Sequence, residues 1–139
     1  MPSDTIFLDA AYAIALAAPE DDLHPKAAAL AAQLQSRQLR MLTTNAVVFE
    51  IGNGLAKPKF RSTAIELMTS IFTDPRIEVV HVTPSLVQRA FDLFRLRPDK
   101  AWGMTDCVSF VVMEERGIQE ALTTDEHFEQ AGFTALLRR

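Results

Sequence analysis

Short apolar runs alternate with longer segments of helical periodicity, and this alternation limits the possible folds more than any other feature. Four runs are predicted to be strands: Thr5–Leu8, Arg40–Thr43, Ile77–Val82 and Glu120–Thr123. The predicted helices are Ala10–Ala18, Pro25–Arg37, Thr44 or Asn45 to Ala56, Ser62–Phe72, Pro84–Leu96, Cys107–Arg116 and Glu126–Gln130. Strands that alternate with helices form a mostly parallel sheet covered on both faces. We therefore predict a three-layer α/β/α fold.

Periodicity alone does not distinguish helix from strand for the segment Cys107–Arg116. Its β-branched content also fits a strand. Its length, a capping residue at Thr105 or Asp106, and Gly117 at its end favour a buried helix.

Length and composition suit one domain over residues 1–139. The chain is 48% hydrophobic, which is enough to form a core without disulfides or structural metal. Its one cysteine, Cys107, excludes an internal disulfide, and the composition suits the reducing cytoplasm. The apolar run Ile6–Ala18 lacks a preceding basic region and contains Asp9, so we expect neither export nor membrane insertion.

The net charge of −4 argues at first against a nucleic-acid partner, which is itself a polyanion. The chain has 18 acids and 14 bases. If the four acids described in the next paragraph bind metal, 14 acids remain against 14 bases. Charge therefore excludes no class of partner.

Four acids are placed where they can meet at one end of the predicted sheet. Asp9 and Asp125 follow apolar strands, Asp106 begins a buried helix, and Glu50 lies on a helix after another strand. In open α/β sheets, sites collect beyond the carboxyl ends of the strands. Clustered carboxylates repel one another, and a bound cation relieves that repulsion. We therefore predict a metal site.

The expected ligands are all oxygen atoms, with no Cys or His cluster nearby. Oxygen ligands favour Mg²⁺ or Mn²⁺ over Zn²⁺. Such an ion activates water and stabilises charge on a phosphate, so phosphodiester hydrolysis is the chemistry that fits.

Four stretches together resemble the PIN domain family of the VapC toxin type. They are IFLDAAYAIAL around Asp9, TTNAVVFEIGNGL around Glu50, WGMTDCVSFVVMEERGI around Asp106 and ALTTDEHFEQAGF around Asp125. Each stretch alone is weakly specific, whereas their order and spacing span nearly the whole chain.

The resemblance implies a parallel sheet with flanking helices and a Mg²⁺- or Mn²⁺-dependent endoribonuclease. It also implies a homodimer and a small antitoxin protein that blocks the acidic cleft. Asp9, Asp106 and Asp125 match the metal-binding acids of the family, and Glu50 matches the acid that completes the site directly or through water.

One position departs from the pattern of many relatives, which have a hydroxyl residue shortly after the first acid. Ala10 and Ala11 stand there in this chain. The residues that we expect to supply a hydroxyl instead are Thr44, Thr105 or Thr124.

Simpler interpretations exist for each candidate residue. The three aspartates also fit helix caps or turns, and Glu50 fits a solvated helix acid. Asp99 and Glu126 are second-rank candidates that more often serve as a turn acid and a first-turn helix acid.

Cys107 and Trp102 fit core positions. The three histidines form no i, i+4 metal pair and are expected to be structural or exposed: His24, His81 and His127.

Two groups of basic residues are candidates for contact with RNA phosphates. They are Lys57, Lys59 and Arg61, and then Arg95, Arg97 and Lys100. Basic loops are more often simply solvated.

Two other functions remain open from the sequence. A catalytically weak PIN module would hold RNA or a protein for regulation, and the alanines after Asp9 leave room for it. A phosphotransfer enzyme on a similar scaffold is less favoured, because Ala11 stands where a dehalogenase-like phosphatase has its second acid.

Overall fold

The computed structural model describes residues 4–139, and residues 1–3 of the predicted domain lie outside the described residues. The strands are β1 Thr5–Leu8, β2 Arg40–Thr44, β3 Ile77–Val80, β4 Glu120–Leu122 and β5 Thr134–Ala135. The helices are α1 Ala10–Ala17, α2 His24–Ser36, α3 Asn45–Gly54, α4 Arg61–Thr73, α5 Pro84–Leu96, α6 Met104–Arg116 and α7 Glu126–Gln130. Short 3₁₀ turns cover Pro58–Phe60 and Leu136–Arg138.

The five strands form one parallel sheet in the order β3-β2-β1-β4-β5. Central strand β1 places Phe7 opposite Leu42 of β2 and Ala121 of β4. The chain builds outward from β1 to β3 and then returns to the other side of β1 for β4 and β5. This reversal creates a topological switch point at the carboxyl ends of β1 and β4. The predicted parallel α/β fold is confirmed.

Helices flank the sheet and share its apolar core. Helix α1 contacts α2, α3 and α4, while α5 and α7 both contact α6. The central strands are buried almost continuously, as expected for parallel strands covered on both faces, and Phe7 and Leu122 are fully inaccessible. The core therefore holds β1 and β4, whose ends carry the candidate site, in fixed register.

An aromatic cluster joins the helices that carry candidate residues. The ring of Phe110 on α6 lies edge-on to Trp102 and to Phe128 of α7, with centroids 5.0 Å apart in both pairs. Trp102 is buried, as predicted, and its indole Nε1 donates to Gln130 Oε1 at 3.1 Å. These contacts fix α7 against the start of α6.

The structure corrects several predicted boundaries. The segment containing Cys107 is a helix, but it begins at Met104, and Gly117 ends it in the left-handed conformation with φ +66°. Strand β3 ends at Val80, because the backbone N–H of Val82 donates to the Asn45 side chain and not to a strand. Strand β5 was not predicted, since two residues are too few to give a periodic signal.

Among residues 4–139, no helix has both the length and the apolar character that crossing a bilayer requires.

Candidate metal centre

Asp9 is the first residue after β1 and lies at the switch point. Its backbone N–H donates to the Leu122 carbonyl of β4 at 3.3 Å, which ties the ends of the two strands together. Its carboxylate Oδ2 accepts a 2.6 Å hydrogen bond from Thr123 Oγ1. Asp9 occupies the N-cap position of α1 but makes no side-chain capping bond. A capping role therefore does not explain this partly buried acid.

The electrostatic surroundings of Asp9 disfavour its charged form. The pKa of Asp9 is raised to about 6, chiefly by burial and in smaller part by the carboxylates of Asp106 and Asp125. The hydrogen bond from Thr123 opposes this rise in pKa. Asp9 is thus close enough to Asp106 and Asp125 for their charges to raise its pKa.

Asp106 lies in the first turn of α6. Its Oδ2 accepts a hydrogen bond from the backbone N–H of Gly103 at 3.1 Å, so it does contribute to the helix start. The same oxygen lies 2.9 Å from Nδ1 of His127. The Asp106 side chain is 20% exposed and remains accessible from solvent.

Asp125 is held by the loop between β4 and α7. Its Oδ1 accepts from the backbone N–H of His127 at 2.9 Å, so it caps α7. The backbone N–H of Asp125 donates to Thr123 Oγ1 at 3.1 Å. The Thr123 hydroxyl therefore connects two of the predicted acids, accepting from the backbone of Asp125 and donating to Asp9.

Glu50 lies on α3 and is more exposed than the aspartates. Its carboxyl group is nevertheless partly desolvated, and this burial is the main reason that the pKa of Glu50 is raised to about 7. The carboxylates of Asp9, Asp106 and Asp125 add to the rise. The structure thus brings all four predicted acids into one electrostatic cluster at the carboxyl ends of β1 and β4.

Sequence reasoning missed two residues of this cluster. Thr123, which is fully buried, supplies the hydroxyl that was expected from Thr44, Thr105 or Thr124. The hydroxyl of Thr44 instead caps α3 by accepting from Val47. The position of Thr123 at the end of a strand, two residues before Asp125, was the available signal.

His127 is the second missed residue, because it was expected to be structural or exposed. Its ring Nδ1 lies 2.9 Å from Asp106 Oδ2 and 3.3 Å from Asp125 Oδ1. Potential ligand atoms of these three residues lie within 4.8 Å of one another. The sequence analysis expected no Cys or His cluster near the acids, and the structure places a single histidine beside two of them.

The second-rank candidates lie outside the cluster. Asp99 makes two 3.0 Å hydrogen bonds with the guanidinium of Arg97, which lower the pKa of Asp99. Glu126 is exposed in the first turn of α7. Cys107 is buried, and its burial raises the pKa of the thiol, so its environment does not suit a nucleophile.

The donor set fits a divalent cation. Ligand atoms of Asp106, Asp125 and His127 lie within 4.8 Å of one another, and Asp9 and Glu50 are near enough for the carboxylates of Asp106 and Asp125 to raise their pKa values. Burial and this repulsion leave the charged forms of Asp9 and Glu50 without compensation. A cation would supply that compensation.

Residues 6–134 match the PIN domain family. The chain belongs to this family. VapC20 of Mycobacterium tuberculosis, named a 23S rRNA-specific endonuclease, is 30% identical over 128 residues, which cover 92% of this chain and 95% of that protein. The predicted resemblance to VapC-type PIN proteins is confirmed.

Solved structures agree with this assignment. The crystal structure of M. tuberculosis VapC20, described as a toxin that cleaves the sarcin–ricin loop, matches with a TM-score of 0.83 and 29% identity, covering 93% of this chain and 96% of that one. VapBC2 from Rickettsia felis, solved with a DNA fragment from its promoter, matches with a TM-score of 0.66 over 94% of this chain and 96% of that one. At 13% identity, the second match supports the fold alone.

Proposed function

We propose that this chain is a divalent-metal-dependent endoribonuclease and the toxin of a toxin–antitoxin pair. The observation that carries this proposal is the convergence of Asp9, Glu50, Asp106 and Asp125 at the switch point of a PIN fold. The similarity to VapC20, a named endonuclease, supports the reaction class. We propose Mg²⁺ or Mn²⁺ as the cofactor, and the cytoplasm as the site of action of this single domain.

The four acids have two proposed roles. Asp9, Asp106 and Asp125 hold the cation, and the Thr123 hydroxyl keeps Asp9 oriented. When bound, a divalent cation lowers the pKa of a coordinated water and offsets charge on the scissile phosphate. Glu50 completes the site and is the proposed general base for the attacking water, since its partly desolvated carboxyl group lies within the electrostatic influence of all three aspartates.

One of the two predicted basic groups is largely neutralised by acids. Arg95 pairs with Asp92 at 3.0 Å, and Arg97 pairs with Asp99 at the same distance. Lys100 lies 3.8 Å from Asp99. These three cations therefore offer less attraction to a phosphate than their number suggests.

The other basic group is better suited to RNA. Within residues 4–139, Lys57, Lys59 and Arg61 make no ion pair. They lie in the 3₁₀ turn and helix start that follow α3, the helix that carries Glu50. We assign the contact with RNA phosphates to this basic turn, residues 57–61.

The proposed protein partners are a second copy of the chain and a small antitoxin. Helix α5 exposes apolar side chains at helical spacing, with Val87 45%, Phe91 44% and Phe94 43% accessible, and Leu96 at its end is 74% accessible. Apolar patches of this kind mark protein interfaces, so we place the dimer contact on α5. The antitoxin is proposed to cover the acidic cluster.

Cleavage of structured RNA tests the proposed activity. Ribosomal RNA is the first substrate to try, since VapC20 is named for 23S rRNA. The purified chain with Mn²⁺ or Mg²⁺ should cleave it, and chelation or Asp9→Asn should abolish cleavage. Asp99→Asn is the matched control, because Asp99 is an exposed acid outside the cluster. Cleavage by Asp9→Asn at the parental rate would refute the site assignment.

The alternative is a PIN module that binds without turnover. This alternative was suggested by the absence of a hydroxyl residue directly after Asp9. In the structure, the Thr123 hydroxyl donates to Asp9 instead. Calorimetric metal binding without cleavage of any RNA in a panel would support this module, whereas turnover would exclude it.

A further inference from the structure

The imidazole of His127 lies between two acids of the candidate metal centre. Its Nδ1 is 2.9 Å from Asp106 Oδ2 and 3.3 Å from Asp125 Oδ1. All three side chains are partly accessible, at 24% for His127, 20% for Asp106 and 34% for Asp125. Nδ1 therefore lies near both carboxylates, in a group of three side chains that solvent reaches in part.

Local structure fixes this position of the ring. The backbone N–H of His127 donates to Asp125 Oδ1, so main chain and side chain of one residue both approach the same carboxylate. The next residue, Phe128, is fully buried and packs on Phe110 of α6, the helix that carries Asp106. Packing of α7 on α6 thus sets the spacing between the imidazole and Asp106.

The spacing of the three atoms is that of neighbouring ligands on one cation. Adjacent ligands of an octahedral ion with bonds of about 2.1 Å are separated by about 3.0 Å. The measured separations of 2.9 Å and 3.3 Å lie close to this value. Potential ligand atoms of all three residues fall within 4.8 Å of one another, so one ion can reach them together.

We propose that His127 is a metal ligand through Nδ1, which makes the site a mixed nitrogen and oxygen centre with Asp106 and Asp125. This inference rests on the proposed metal-dependent function and adds a preference among metals. Imidazole favours first-row transition ions, whereas Mg²⁺ favours oxygen ligands and retains several waters. The site therefore prefers Mn²⁺ or a similar ion to Mg²⁺.

Pulsed electron paramagnetic resonance of the Mn²⁺-loaded protein tests the ligand directly. We expect a ¹⁴N coupling of a bound imidazole in the parent chain and its replacement by a ¹⁵N coupling after labelling with ¹⁵N-histidine. His127→Gln should lose the coupling. His81→Gln is the control, because His81 is exposed after edge strand β3, three strand positions from β4.

Binding measurements add a readout that a hydrogen-bonding role alone would not change. Calorimetry should show that His127→Gln weakens Mn²⁺ binding about tenfold more than Mg²⁺ binding, which changes the ratio of the two dissociation constants by that factor. His81→Gln should leave the ratio unchanged. An equal effect of His127→Gln on both ions would contradict ligation.

The outcomes separate this inference from the proposed function. Bound Mn²⁺ that depends on Asp9 but shows no nitrogen coupling would overturn the role of His127 and leave the nuclease proposal intact. Failure of the parent chain to bind either ion would overturn both.

Discussion

Replacing Asp9 by Asn should make the metal-free protein more stable at neutral pH, although it should abolish metal-dependent activity. The pKa of Asp9 rises from 3.8 to about 6 in the folded chain, mainly through burial. The folded protein therefore favours the protonated acid, and ionisation costs stability. This cost is absent below the unfolded pKa and grows as the pH rises from about 4 to about 6.

The size of the effect follows from the shift. About two pKa units at 1.36 kcal/mol each give an upper limit of about 3 kcal/mol. The side chain is partly accessible, and an amide also loses solvation on burial, so we expect a gain of about 1–2 kcal/mol. Asn can still accept the hydrogen bond from Thr123, which keeps the substitution conservative.

Urea unfolding in the presence of EDTA, at intervals from pH 4 to pH 8, measures this difference. The free energy of unfolding of Asp9→Asn should equal that of the parent near pH 4 and exceed it above pH 6. Asp99→Asn is the matched control, because the pKa of Asp99 is lowered by Arg97 and its replacement should bring no gain. A difference that does not change with pH, or a less stable Asp9→Asn at pH 7.5, would refute the electrostatic account.

Adding metal should reverse the order of stability. At 100 times the dissociation constant, a ligand bound only by the folded state stabilises it by about 2.7 kcal/mol. The parent chain should gain this amount in Mn²⁺, whereas Asp9→Asn should gain little.

Three further predictions concern the site, the RNA and the dimer. Thr123→Val should raise the pKa of Asp9 above about 6 and weaken Mn²⁺ binding most at low pH, measured by calorimetry at pH 6 and pH 8. Changing Lys57 and Lys59 together to Gln should raise the KM for RNA without changing kcat, and should lower the salt slope of RNA binding by about two. Phe94→Glu should reduce the mass in solution from twice 15.5 kDa to 15.5 kDa by light scattering.

Each of these has a control in the same chain. Thr124→Val should leave Mn²⁺ binding unchanged, and equal loss in both threonine variants would contradict the role of Thr123. Changing Arg95 and Lys100 together to Gln should leave the salt slope of RNA binding nearly unchanged, since both cations already contact acids. Phe72→Glu should keep the dimer, because Phe72 is 59% exposed on α4 and not on α5.

The parts of the fold that local signals specify could be predicted from the sequence. The apolar run Thr5–Leu8 predicts strand β1 with the ends that the structure shows. The pair Thr83-Pro84 predicts the start of α5, and the Thr83 hydroxyl accepts there from the backbone N–H of Leu86. Asp9 could be singled out as a candidate site residue because it directly follows this strand. Helix α3 was predicted two residues too long: it ends at Gly54, where the N–H of the capping residue Leu55 donates to the Ile51 carbonyl, before Lys57-Pro58 is reached.

The contacts that complete the site could not be predicted in the same way. Thr123 and Asp9 are 114 positions apart, and which threonine reaches the acid depends on the pairing of β1 with β4. His127 looks like an ordinary helix residue in the sequence. Its role near the acids depends on how α7 packs against α6, through Phe110 and Phe128.

The three aspartates stay close in the metal-free chain because neighbouring donors oppose their repulsion. Thr123 donates to Asp9, Gly103 to Asp106, and His127 to Asp125. Charge-assisted hydrogen bonds of this kind hold carboxylates in place before a cation arrives. The C-terminal residues add support, since the N–H of Leu137 donates to the Thr123 carbonyl at 3.2 Å. Glu50 has no such donor among residues 4–139, which leaves it free to exchange a proton while the aspartates remain fixed.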